Sequence, residues 1–410
     1  MNLFLSLAVF LCTGASAPDK DALETDKVVL NSGKTLKGHV VYEDDEILIL
    51  RKGTKDREIP MEKIDDVTSR ARGIRAFAKE VSAFEPWRPE DNEELAKRAT
   101  ELGLEAEARI LWWRVIASQP SNPRAHEALG HRKSGKSWRI EHAGRKVRLG
   151  KIRDVAKDFG KGWEFSTSHF DLRSNLSLEE TLDLALDLEL LYVAFFGLFG
   201  KELHLYETEE RMLVHVHADD ASFPERAGED GYFVGQANLM TANASNGLVM
   251  HLIVHEIVHQ LIYNTAVEER LYKGAIPDWV DEGLAEYIAS ASAGSAPGRL
   301  RIDTEIKRRD TFRIQATAKK PLSLSRVLNL SKSDFNASTK RLLKYAQVYT
   351  LIHFCLHGGE DEEYRKDFME FMRSAYLGRG SSTDFKRAFE LKKNKGFEES
   401  WKGYVLQMSG

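Results

Sequence analysis

The sequence predicts a multi-domain α+β protein: a small all-β unit, a helical hairpin, and a mostly helical C-terminal unit that opens with a small sheet. Three observations carry this expectation. The chain has 410 residues, more than the roughly 100 to 200 usual for one domain. Apolar residues alternate with polar ones between Asp26 and Thr68, the period of half-buried strands, but recur three and four apart from Asn92 onward. Hydrophobic residues make up 42% and charged residues 30%, a globular mixture rather than that of a disordered chain or a membrane bundle. Lys and Arg number 59 against 63 Asp and Glu, so net charge gives no reason to expect a nucleic-acid partner.

Met1 to Ala17 carries no charged side chain, contains the apolar run Leu3 to Leu11, and ends in Ala15-Ser16-Ala17. That small-x-small ending predicts a signal peptide over residues 1–17 and a secreted or periplasmic location. No later segment offers about 18 uninterrupted apolar residues, so no integral membrane span is expected. The two cysteines, Cys12 and Cys355, cannot form a disulfide framework or a Cys-rich metal site. Cys355, between Phe354 and Leu356, is expected in the core. A metal site would have to draw on carboxylates and the 13 histidines.

Residues 24–70 hold short strand patterns at Val28–Leu30, Gly38–Tyr42, Ile47–Leu50 and Glu58–Ile59, separated by turns at Asn31-Ser32-Gly33, Asp44-Asp45 and Lys52-Gly53. Their order resembles the small SH3-like or Sm-like β barrels. Sm-like barrels can bind RNA, but Asp and Glu in these turns of a chain expected to be exported favour a packing or protein-binding module, for which a cell-envelope protein is the candidate partner. Over residues 90–135, Leu95, Ala99, Leu102 and Ala106, then Ala108, Leu111, Trp112 and Val115, mark two helices that break near Gly103. A third helix opens at Pro123. This stretch resembles one tetratricopeptide repeat plus half of the next, too little for a peptide-binding solenoid, so a spacer is expected. The basic run His131–Lys151 places a solvated linker at 136–161.

The last unit, 162–410, opens with a strand at Trp163–Ser166 and a long helix from Ser177 to Phe199, capped by Ser177. Strands follow at Met212–His217 and Tyr232–Met240, with His215 and His217 expected on the surface. Helix predominates after Asn243. There the chain reads His255-Glu256-Ile257-Val258-His259 within an apolar helical pattern. On a helix, i and i+4 lie on one face about 5 to 6 Å apart, so both imidazoles can reach one metal ion. Glu256, offset by one residue, is placed to take a proton from a metal-activated water. A catalytic zinc ion wants a third protein ligand. It is found in the amphipathic helix marked by Trp279, Val280, Leu284, Ala285 and Ile288, which displays Glu282 and Glu286. Twenty-two residues separate His259 from Glu282, enough for a loop and an antiparallel return. Glu286, one turn on, can orient a ligating histidine. His251, one turn before His255, is expected to line the cleft or the surroundings of the metal.

These paired motifs resemble the gluzincin zinc metallopeptidases, in which HExxH is followed by a helix with an E-G-x-A or E-x-x-A signature. Within them the chain is most similar to the peptidase MA-like group, over about Gly162 to Gly358. The resemblance implies a zincin-like domain holding one Zn²⁺ ion through His255, His259 and Glu282, with Glu256 as general base and a peptide or protein as substrate. It also implies two further roles. Gly231, Tyr232, Phe233, Val234 and Gly235 lie where gluzincins place the sheet edge that receives an extended substrate. Tyr345 is placed to stabilise the oxyanion. The 22-residue spacer is longer than in the aminopeptidase branch, and no G-x-M-E-N signature precedes the HExxH helix. Two other readings stand beside this one: a cell-envelope scaffold with a vestigial zinc site, and a zinc hydrolase of another amide, such as a peptidoglycan stem peptide.

Overall fold

The computed structural model describes residues 26–409 except 82, 225–228, 266–275, 304–310, 338–339, 360–362 and 392–395. The expected signal peptide lies outside the described residues.

The chain begins with β1 (Asp26–Leu30), β2 (Thr35–Glu43), β3 (Ile47–Lys52), β4 (Lys55–Pro60) and β5 (Ile64–Thr68). They form an antiparallel sheet in the order β4-β3-β2-β1-β5 over a small core of Val28, Val40, Leu48, Leu50, Ile59 and Val67. The expected barrel does not close. Its two end strands carry exposed charge, Lys55 to Glu58 on β4 and Asp65-Asp66 on β5, which suits an edge left to solvent rather than a further ladder. Four helices follow: α1 (Arg70–Val81), α2 (Pro89–Glu101), α3 (Glu105–Ser118) and α4 (Pro123–Ala128). Gly103 turns α2 into α3 at φ 75°, and the Asn122 side chain accepts from Ala125 N at 3.1 Å to cap α4.

Residues 136–161 are not the linker that their basic composition predicts. They belong largely to an antiparallel meander of β6 (Arg132–Ser134), β7 (Ser137–His142) and β8 (Arg145–Val147), followed by α5 (Leu149–Val155). Two apolar anchors hold them down: Ile140 and Ile152 are buried in the main core.

A second five-stranded sheet contains β9 (Trp163–Ser166) and β10 (Phe170–Ser174), then, after α6 (Leu178–Leu203), β11 (Met212–His217), β12 (Gly231–Val234) and β13 (Leu239–Asn243). Its order is β12-β13-β11-β10-β9. The β10–β11 and β11–β13 pairs are parallel and both outer pairs antiparallel. Ser177 and Glu180 close a capping box at the start of α6, satisfying two backbone donors that the helix leaves open. His217 departs from expectation, being buried with its ring stacked on Phe159 at 3.8 Å. His215 is half-buried, and burial pushes both imidazoles down to about 4.

The remainder is helical: α7 (Met250–Asn264), α8 (Asp278–Ala291), α9 (Thr311–Lys319), α10 (Leu324–Val327), α11 (Lys332–Asn336), α12 (Arg341–His357), α13 (Glu363–Tyr376), α14 (Ser382–Ala388) and α15 (Phe397–Ser409). One core runs from Ile74 of α1 through α6, α7, α8 and α12, including Cys355, to Met408 of α15. Among the described residues, no helix is long and apolar enough to cross a membrane.

Candidate metal centre

Helix α7 buries Ile253, Val254, Ile257, Val258 and Leu261. This fixes its rotation and turns His255 and His259 to the same side, ring centroids 4.8 Å apart. Helix α8 buries Trp279, Val280, Leu284, Ala285 and Ile288 and presents Asp281, Glu282 and Glu286 to α7. The contacts run in opposite chain directions, His255 to Glu286 and His259 to Asp281, so the two helices are antiparallel.

Three donor atoms converge. His255 Nε2 lies 3.1 Å from His259 Nε2, and Glu282 Oε2 lies 3.2 Å from the first and 3.5 Å from the second. The three side chains are only 10%, 11% and 13% exposed, and Glu282 Oε2 is buried without accepting a hydrogen bond. This His-His-Glu group could hold a metal ion.

Electrostatics fit a cation at that point. Burial alone would keep both imidazoles neutral, yet Glu282 beside His255, and Asp281 with Glu282 beside His259, outweigh it and raise both histidines above their ordinary value. Burial likewise opposes the charge of Glu282, and the two imidazoles hold its carboxyl well below the usual range. Positive charge is thus stabilised where the three donors meet.

Behind the donors stands a second ring of charge. Glu286 Oε1 lies 3.4 Å from His255 Nδ1, and Asp281 Oδ1 lies 2.9 Å from His259 Nδ1. Arg313 of α9 is ion-paired with Glu286 Oε2 and stands 3.3 Å from His251 Nε2. His251 is therefore beside the cluster and outside the donor set. Asp281 and Arg313 are not found by the motif. The antiparallel register is the signal for Asp281: if residue 286 meets 255, residues 281 and 282 meet 259.

Glu256 is half-buried on the next position of α7. Tyr345 reaches the site because α12 packs closely on α8: a Cβ on Gly283 would come within 2.6 Å of Ile352. Tyr345, two turns before Ile352, brings its ring centroid to 6.0 Å from that of His255. The expected substrate segment is split. Gly231 to Val234 form β12 at the sheet edge, while Gly235 starts a 3₁₀ turn. Both glycines permit close approach to α7, since an added Cβ would meet Leu252 at 3.1 Å and Tyr263 at 2.7 Å respectively. The edge strand therefore runs alongside the helix that carries His255 and His259.

No curated protein and no solved structure matches the chain. A family model described as a protein of unknown function (DUF1570) matches residues 250–376, from the first residue of α7 to the last of α13, a span that contains the whole His-His-Glu group and Tyr345.

Proposed function

We propose that the protein is a zinc-dependent peptidase whose ion is held by His255, His259 and Glu282. The carrying observation is the spacing of the three donor atoms, 3.1, 3.2 and 3.5 Å. A tetrahedral zinc ion with bonds of about 2.0 to 2.1 Å sets its donors about 3.3 Å apart. Three donors leave a fourth position open, as hydrolysis requires. When bound, the ion supplies a Lewis acid and an acidified water.

The chain's own groups divide the remaining work. Glu256 accepts a proton from the attacking water and passes it to the leaving amine. Burial, reinforced by Glu282 and Glu286, pushes the Tyr345 phenol up, so it keeps its proton at neutral pH and can donate to a carbonyl oxygen that is gaining charge. Among the described residues β12 is the outer strand of its sheet and packs on α7 through Leu252 and Tyr263, which makes it the strand on which an extended peptide would be laid. The export that Met1 to Ala17 predicts belongs to the same proposal.

The test is Glu256→Gln. Cleavage of a peptide library should fall by about 10² to 10⁴-fold while one equivalent of metal is retained. Undiminished cleavage by a pure variant would overturn the reading.

A further inference from the structure

We propose that the β6–β8 meander is a docking surface for anionic lipid membranes, independent of the metal centre. Residues 132–151 carry eight Lys and Arg against the single acid Glu141. This leaves a net −11 for the rest of the chain. Among the described residues, none of these eight cations forms an ion pair. Arg132, Lys133, Lys136, Arg145, Lys146, Arg148 and Lys151 are exposed, and Arg139 is half-buried.

The inner face of the meander is accounted for. Trp138 stacks on His126 at 4.5 Å, Ile140 is buried, and His142 lies 5.6 Å from Trp163 and donates to Lys161 O at 2.8 Å. Strand alternation then turns Arg139 and Glu141 outward together with their partners Arg132 and Lys146, while Lys133 and Arg145 share the inner-face register of Trp138 and His142 and add charge only at its rim. The register pairs Arg132 with Arg139 and Glu141 with Lys146, so two arginines stand opposite each other on the outer face. Directly opposed like charges are destabilising, and an anion laid across them relieves that repulsion.

The patch fits a headgroup plane better than a nucleic-acid strand. It is the face of a short sheet rather than a groove. Its one aromatic ring large enough to stack on bases, Trp138, is covered by His126 and by Lys133, 5.7 Å from the ring centroid. None of the large apolar side chains exposed in the structure lies in the meander, so attachment rests on charge and not on insertion. The geometry also leaves the other site open. The meander packs beside β9, at the opposite end of the sheet from β12.

Flotation of the full-length protein with vesicles tests this. Vesicles of phosphatidylcholine with about 30 mol% phosphatidylglycerol should bind it at about 0.1 M salt, and pure phosphatidylcholine vesicles should not. Each cation near such a surface contributes roughly fivefold. The triple variant Arg132→Glu, Lys136→Glu, Lys146→Glu should therefore lose at least about 100-fold in partitioning. Arg132→Lys with Arg139→Lys, which keeps the charge, should retain binding. Failure of the wild type to bind anionic vesicles, or equal binding by a triple variant with a wild-type melting curve, would overturn the proposal. So would binding to duplex DNA without binding to vesicles.

Discussion

His259 Nδ1 lies 2.9 Å from Asp281, and His255 Nδ1 lies 3.4 Å from Glu286, whose other oxygen is held by Arg313. Each imidazole of the proposed zinc site thus has a carboxylate beside its far nitrogen, and that negative charge favours a proton on Nδ1 and leaves Nε2 for the shared centre. The Asp281→Asn change should weaken zinc binding by about 10 to 100-fold with the fold intact, as read by competition with a chelator. An unchanged affinity would remove Asp281 from that role. His255 with His259, and Glu282 with Glu286, are legible in the sequence because i, i+4 spacing along each helix sets which side chains share a face. Asp281 is not, because its partner sits on another helix and the register between helices depends on packing. His217 fails for a similar reason: alternation separates two faces of a strand without telling which is covered, and here Phe159 covers it.

At the scale of elements, the site depends on how closely α12 lies against α8. Gly283 is the contact point, with a would-be Cβ 2.6 Å from Ile352 Cγ1 and 3.2 Å from Val348 O. In an isolated helix Gly→Ala gains about 1 kcal/mol. Overpacking against a fixed carbonyl and a branched side chain costs about 1 to 3 kcal/mol, and it prevails here. Gly283→Ala should lower the melting temperature and also weaken zinc binding, because Glu282 and Tyr345 are set by the same contact. A stabilised variant would show that α12 can retreat. Helices α7, α8 and α12 are long enough for their periodicity to be read from the sequence. The β6–β8 meander is not, because strands of three and six residues are too short to show a period and their basic side chains look like those of a loop.

Across the whole molecule, the loop after α8 is clamped to the rest of the fold. Asp187 of α6 accepts from Gly298 N at 2.8 Å and Leu300 N at 2.7 Å. Arg114 of α3 pairs with Asp183, and Arg299 donates to Phe84 O. Burial pushes Asp187 up to about 7 against the pull of its two backbone donors. A raised acid stabilises the fold fully below its unfolded value of about 3.9, and that contribution is lost as pH rises through about 7. Wild type should therefore lose stability relative to Asp187→Asn between about pH 4 and 7, on the order of a few kcal/mol, in denaturant titrations. A pH-independent difference between the two would contradict this. Zinc titration calorimetry of metal-free wild type against His255→Ala tests the three converging donors most directly. One tight equivalent in the wild type and none in the variant is the predicted result. No tight binding by the wild type, or a full equivalent in the variant, would contradict it.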